Sequence, residues 1–341
     1  MYDLEATVSN ILEGGEASPA EALCALRTAP RGALRDAAHR ITLARTPRRF
    51  DFCGIVNARS GMCTENCKWC AQSAHWSTGC ACHGWIGPRA CLEAAKAAEA
   101  NGVSRFAIVT SGRSQSGDEV KEIADAIDLM REKTRVHICA SLGLVGAEDL
   151  EILKSAGLER VHCNIETAPS LFPSLCSTHT MREKLATIEA ARDLGLEICS
   201  GGIIGMGESD EELVEFAFAL KAISPSSIPV NVLHPIPGTP LGGKPVLDRE
   251  RLLDSVSILR LVNPATPLRF AGGRRGMSDE TAAEAVRCGM SAGIAGPLLT
   301  TPGADYDDDR HIASMAGYDV SPDLRPQAET TETNDPSASR V

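Results

Sequence analysis

No stretch of this 341-residue chain is apolar for long enough to cross a bilayer, which takes roughly 20 consecutive apolar residues. The start, Met1-Tyr2-Asp3-Leu4-Glu5, has no basic segment leading into an apolar run, so no secretory leader is expected. Positive charge is also short: 34 Lys and Arg stand against 45 Asp and Glu, a net charge of -11. That balance argues against a nucleic-acid partner, whose binding is driven by Lys and Arg neutralising phosphates. The one basic stretch, Arg45 to Arg49, reads as a solvated loop. The 13 cysteines are odd in number and sit in a long chain, which disfavours a secreted disulfide framework. These absences together give the expectation of a cytoplasmic protein with reduced thiols and no membrane partner.

A further absence is the most informative. The run Cys63-Thr64-Glu65-Asn66-Cys67-Lys68-Trp69-Cys70 offers three closely spaced thiolates and no fourth. A closed zinc site takes four protein ligands, and an electron-transfer cubane takes four cysteines. Three thiolates instead suit a cluster with one metal corner left open for another molecule. The C-x3-C-x2-C spacing, with Trp69 before the third cysteine, resembles the radical S-adenosylmethionine (SAM) superfamily. That resemblance implies that Cys63, Cys67 and Cys70 hold a [4Fe-4S] cluster whose fourth iron is chelated by SAM.

Residues 1–49 mix short helical patterns and are expected to form an N-terminal helical extension. Ser18-Pro19-Ala20-Glu21 is a helix start with a Ser cap, Pro at the first helical position and a Glu to close a capping box. From residue 50 short β-branched runs alternate with amphipathic patterns. Strands are expected near 53–59, 105–110, 136–141, 160–166, 197–204, 228–233, 267–271 and 293–296. Helices are expected at Asp118–Lys133, Ala147–Ala156, Met181–Leu194, Asp210–Ile223, Arg249–Val262 and Asp279–Cys288. Eight strands with crossover helices fit an α/β (β/α)8 TIM-type barrel over 50–320. The cysteine triplet then follows the first strand, on the face where barrel enzymes carry their chemistry. Residues 321–341 are polar and poor in apolar side chains and are expected to be a disordered tail.

A second set lies inside candidate strands three, five and seven: Cys139, Cys199 and Arg269. A buried Arg wants an anionic partner, and a thiolate-ligated cluster is one. The segments Ile55-Val56-Asn57-Ala58-Arg59-Ser60-Gly61-Met62-Cys63, Ala71-Gln72-Ser73, Cys199 to Glu208, Ile228-Pro229-Val230-Asn231, Gly238-Thr239-Pro240, Gly272-Gly273-Arg274 and Leu298-Leu299-Thr300-Thr301 resemble the biotin synthase family over residues 50 to 305. The resemblance implies an auxiliary cluster, usually [2Fe-2S], held by three cysteines and an arginine, of which Cys139, Cys199 and Arg269 match three. The family's cysteine on the second strand falls on Ala107, which cannot bind iron. Cys163 is close in sequence, but the resemblance places Asn164 and Glu166 at the SAM and substrate pocket, so that by strand parity His162 points inward and Cys163 outward; imidazole ligates iron in Rieske-type centres. His162 is therefore a candidate substitute ligand.

By the same resemblance, Trp69, Asn164, Glu166, Gly205 and Asn231 are expected around SAM, and Asn164, Asn231, Thr300 and Thr301 around the substrate. The implied activity is that of a sulfurtransferase: radical-driven insertion of sulfur from the auxiliary cluster into dethiobiotin, fed by a one-electron donor such as flavodoxin or ferredoxin, in a homodimer. Two alternatives stay open, a biotin synthase-like cofactor maturase and a non-catalytic metal-binding protein. Cys80, Cys82, His83 and Cys91 repeat no recognised ligand spacing and read as surface or core residues.

Overall fold

The computed structural model describes residues 2–300, 303 and 305–326. Nine strands form one parallel sheet: β1 Asp51–Arg59, β2 Arg105–Thr110, β3 His137–Ser141, β4 Arg160–His162, β5 Glu197–Cys199, β6 Gly202–Ile204, β7 Ile228–Val232, β8 Leu268–Phe270 and β9 Met290–Ile294. Their order is β5-β4-β3-β2-β1-β9-β8-β7-β6. The two ends of that order, β5 and β6, are halves of one strand position interrupted at Ser200-Gly201. Parallel bridges Glu166↔Gly202 and Cys199↔Ser227 join this position to both neighbours, so the sheet closes as an eight-position barrel, the arrangement expected from the alternating pattern.

Strand parity decides what faces where. Along β2, Phe106 and Ile108 turn outward into the main apolar core, with Ile138, Val161, Ile198, Ile228 and Phe270 doing the same on other strands. Helices Pro88–Ala100, Asp118–Lys133, Ala147–Ala156, Met181–Asp193, Asp210–Ile223, Arg249–Val262 and Asp279–Cys288 cover that face. Fully burying such an Ile or Phe stabilises the chain by about 1.5–3 kcal/mol. The hydrophobic layer is thus the outside of the sheet, which frees the inward residues for polar chemistry.

The six expected helices are present, Met181–Asp193 ending one residue before the expected Leu194. The capping box at Ser18 is formed, and Thr180 and Ser209 make the same reciprocal caps. The N-terminal segment forms helices Leu4–Leu12, Pro19–Thr28 and Arg31–Arg45. Their buried Val8, Ile11, Leu34 and Ile41 are continuous with the barrel core, and Arg35 reaches Glu250 at 2.8 Å and Asp254 at 3.3 Å. Residues 321–326, assigned to the tail in the sequence reading, are tied down. Arg325 donates to the carbonyls of Thr134 and Val136 at 2.9 and 3.0 Å, and Asp323 N–H donates to Ser104 Oγ at 2.9 Å. The remainder of the expected tail, 327–341, lies outside the described residues.

Closure depends on a residue without a side chain. A Cβ at Gly202 would stand 2.2 Å from Glu166 O and 2.6 Å from its Cα, both rigid backbone atoms. Gly202→Ala is expected to cost about 1–3 kcal/mol or more through forced backbone shifts, read as a lowered thermal midpoint. A midpoint equal to the parent's would show that closure does not need this contact.

Candidate functional site

The loop after β1 is folded back on itself. Cys63 N–H donates to Gln72 O at 3.0 Å and Ala74 N–H to Cys63 O at 2.7 Å, while Cys70 N–H closes a turn onto Cys67 O at 3.1 Å. Trp76 Nε1 donates to Cys67 O at 3.0 Å. Glu65 anchors the loop from below: it accepts from Thr178 Oγ1 at 2.8 Å, stands 2.5 Å from His179 Nδ1 and pairs with Arg113 at 3.3 Å. Burial opposes ionisation of Glu65, but hydrogen bonds from Thr178, His179 and Arg113 outweigh it and hold the carboxyl below its ordinary pKa.

Cys63, Cys67 and Cys70 all line one cavity of about 420 Å³ at the C-terminal mouth of the barrel, together with Trp69, His162, Asn164, Glu166, Asn231 and Thr300. Gly205 is not on that wall. It takes φ 91 in a turn closed by Glu208, which accepts from the N–H groups of Gly205 and Gly207 at 2.7 and 3.0 Å. Thr301 lies outside the described residues. Asn164 accepts from Gly201 N–H at 3.1 Å. Asn231 donates to Gly202 O at 3.0 Å and accepts from Gly272 N–H at 2.8 Å, so it also ties three strand positions together. Glu166 takes φ 71, uncommon for a residue with a side chain, and burial raises its carboxyl pKa against the opposing charge of Lys184.

Beneath the cavity the inward side chains form a thiol level and a charged floor. Cys139 and Cys199 are buried, and burial raises the Cys139 thiol to about 12. Arg269 is buried as well, but its counter-charge is not the one expected. Its Nη2 donates to the Asp51 carboxylate, Nη1 to Asp51 O and Gly293 O, both at 2.9 Å, and Nε to Ser227 Oγ at 3.2 Å. A carboxylate on β1 therefore already balances this guanidinium. The surrounding floor still carries surplus positive charge. Among the described residues Arg105, Arg160 and Arg269 form ion pairs only with Asp51 and Glu197, and Arg105 Nη1 is buried without a hydrogen-bond partner there. An anionic, thiolate-ligated group suits that surplus. All 13 cysteines are free thiols, so the donor set also suits iron–sulfur chemistry. His162 is held neutral: burial first, then Arg160, Arg269 and Arg105, lower its pKa to about 3.

The chain is 46% identical over 93% of its length to biotin synthase of Porphyromonas gingivalis, covering 96% of that protein. It belongs to the biotin synthase family. Biotin synthase of Parabacteroides distasonis is 41% identical over 93% of this chain and 97% of its own. Residues 59–220 match the Radical SAM superfamily, and 229–319 match the Biotin and Thiamin Synthesis associated domain. Solved structures share the fold at low identity. The FeFe-hydrogenase maturase HydG from Carboxydothermus hydrogenoformans has a TM-score of 0.77 at 16% identity, over 92% of this chain and 78% of its own. Methylornithine synthase has 0.75 at 15%, over 93% and 97%. The protein is thus an enzyme of the radical SAM type. Membership of the biotin synthase family brings with it a [4Fe-4S] cluster and SAM as cofactors. No helix among the described residues is long and apolar enough to cross a membrane.

Other contacts of this biotin synthase family member were missed in reading its sequence. Cys67 Sγ donates to Cys176 Sγ at 3.7 Å, and Cys176 Sγ is 3.3 Å from His179 Nδ1. Among the described residues these three form the one close group of potential metal donors. The Cys-x-x-His spacing at Cys176 and His179 was a usable signal. Cys163 donates to Lys184 O at 3.7 Å on the outer helix layer, the outward orientation its parity requires. Cys91 is buried in a helix while Cys82 is exposed, and the set Cys80, Cys82, His83 and Cys91 does not converge.

Proposed function

We propose that the protein inserts sulfur into dethiobiotin to form biotin. The observation that carries this reading is one cavity at the barrel mouth with the cysteine triplet on its wall and a buried thiol level with surplus positive charge beneath it. Cys63, Cys67 and Cys70 would hold the [4Fe-4S] cluster, and Cys139 and Cys199, with Arg269 beside them, the auxiliary cluster; His162 borders that second place from the cavity side. When bound, the first cluster and SAM supply a carbon-centred radical, and the auxiliary cluster supplies sulfur.

The chain's own residues contribute enclosure and orientation. Trp69 packs edge-on to Phe172 at 6.5 Å between ring centroids and beside Leu175, Met206 and Leu241, a dry wall next to the triplet. Asn164 and Glu166, with the Gly205 turn and Asn231, would orient SAM. Asn231 spends its amide oxygen on Gly272 N–H but keeps one N–H beyond its bond to Gly202 O, which is available to a ligand. Thr300 and Thr301 would meet the substrate carboxylate with hydroxyl and backbone donors. Ile55, Val109, Ile294 and Leu299 give the remaining wall an apolar lining, which keeps water from a reactive radical. The setting is a reducing cytoplasm, where the free thiols persist, with a flavodoxin- or ferredoxin-type electron donor and a second copy of the chain as partners.

The test is anaerobic incubation of the reconstituted protein with dethiobiotin, SAM and a one-electron reductant. Biotin, with 5′-deoxyadenosine, is expected. Deoxyadenosine without biotin would instead favour a maturase-like relative, and neither product from iron-loaded protein would sink the enzyme reading.

A further inference from the structure

The barrel register places a fourth residue in the level of Cys139, Cys199 and Arg269. In an eight-stranded barrel of shear eight, one interior layer takes four side chains from alternate strand positions. Residues at one height advance by about two for every two positions relative to the hydrogen-bonded register. Cys53 on β1 pairs with Arg105, which pairs with His137; two residues on is Cys139. Cys139 pairs with Arg160, which pairs with Glu197; two residues on is Cys199. Cys199 bridges Ser227, Ile228 pairs with Leu268, and so Ser227 stands opposite Pro267; two residues on is Arg269. Arg269 pairs with Ala292, which pairs with Asp51, and two residues on is Cys53 again. The circuit closes on itself, with Cys53, Cys139, Cys199 and Arg269 as one layer from positions one, three, five and seven.

The side chains agree with the register. On β1, Asp51 meets Arg269 inside the barrel and Ile55 packs inside with Ala107, Val109 and Cys139. Cys53 lies between them with the same parity and is 2% exposed. Ala107 and His162 belong to the adjacent layer above: Ala107 pairs with Cys139, which pairs with Arg160, and two residues on is His162.

We propose that Cys53 is the third thiolate of the auxiliary iron–sulfur site, so that the ligand missing at Ala107 is supplied by the neighbouring strand β1. This rests on the biotin synthase reading of the buried thiols. It assigns His162 a place beside the site rather than the role of replacing the thiolate.

The test uses the full chain with Cys63, Cys67 and Cys70 all changed to Ala, so that only auxiliary iron is counted after anaerobic reconstitution. Iron and acid-labile sulfide per chain and the visible thiolate-to-iron absorption are the readouts, with circular dichroism as the check of folding. In that background Cys53→Ser is expected to lower iron retention by at least about tenfold, as removing a ligand must exceed the 10–100-fold cost of disturbing a ligand's support. Cys139→Ser should do the same, and His162→Ala should keep its iron. Adding Ala107→Cys to Cys53→Ser should restore the cluster. Full iron and sulfide in Cys53→Ser, beside a loss in Cys139→Ser, would overturn the assignment. Loss in Cys53→Ser without recovery in the Ala107→Cys double variant would also overturn it, marking a packing role. A parent background that binds no iron would remove the auxiliary cluster itself, and with it this ligand.

Discussion

Alanine at Cys67 is expected to reduce 5′-deoxyadenosine formation to the background of an iron-free control, with biotin falling to the same level. The run Cys63 to Cys70 offers three thiols, and a three-ligand set has no spare donor within it to cover the loss of one. Cys176 is the neighbour that could complicate this, because its sulfur lies 3.7 Å from that of Cys67. Cys63→Ala and Cys70→Ala each remove a member of the same triplet and should be as severe. Fold should survive in all three, since the triplet residues are only partly buried and the loop is held by Glu65, Asn66, Gln72 and Trp76. Product analysis by chromatography, with circular dichroism for fold, reads both halves. Deoxyadenosine from Cys63→Ala at parental levels would remove the triplet from the chemistry.

The largest effect on stability is expected at Asp51. Its carboxylate accepts from Arg269 and lies 3.8 Å from Arg105 Nε. Asp51→Ala leaves Arg269 buried with its main counter-charge gone. Breaking a buried pair from one side costs about 3–5 kcal/mol, and the lower part of that range applies because a quarter of the Asp51 side chain is exposed. Urea unfolding of the metal-free chain measures it; a midpoint shift worth less than about 1 kcal/mol, the range of exposed pairs, would show that the floor is solvated.

The same pair sets a pH dependence. Burial works against ionisation of Asp51, but the charges of Arg269 and Arg105 prevail and its pKa is lowered on folding. Between the folded and unfolded values the unfolded chain binds more protons, so stability rises with pH there. The contribution is complete above the ordinary carboxylate value of about 4 and is lost as pH falls through the depressed folded value. Asp51→Asn should flatten that acid limb.

The helices were legible because their signals are local. Ser18 and Glu21, Thr180 and Glu183, and Ser209 and Glu212 are three residues apart, and each pair closes a capping box. Apolar periodicity set the bounds of the six expected helices to within a residue, while Pro88–Ala100 and Tyr306–Met315 were not read from it. Strand parity is local as well, and once the family resemblance placed Asn164 and Glu166 at the pocket it sent Cys163 outward and His162 inward. The cysteine triplet lies within eight consecutive residues, so its chemistry needed no tertiary information.

What the sequence could not give is the neighbour of each inward side chain. The contact of Cys67 with Cys176 spans 109 residues and that of Arg269 with Asp51 spans 218, and no local period relates such positions. The interruption at Ser200-Gly201, read in sequence as one strand, becomes the seam at which the barrel closes only when Glu166 and Ser227 are beside it. Cys53 illustrates the division. Its strand and parity were in the sequence, and its thiol carried no distinguishing neighbour there. Which layer that thiol enters is fixed by the stagger of eight strand positions around a closed ring, a property that no single strand possesses. Sequence therefore determined the elements, the inward-facing residues and the radical-generating triplet; the tertiary register alone decided which buried thiols share a level.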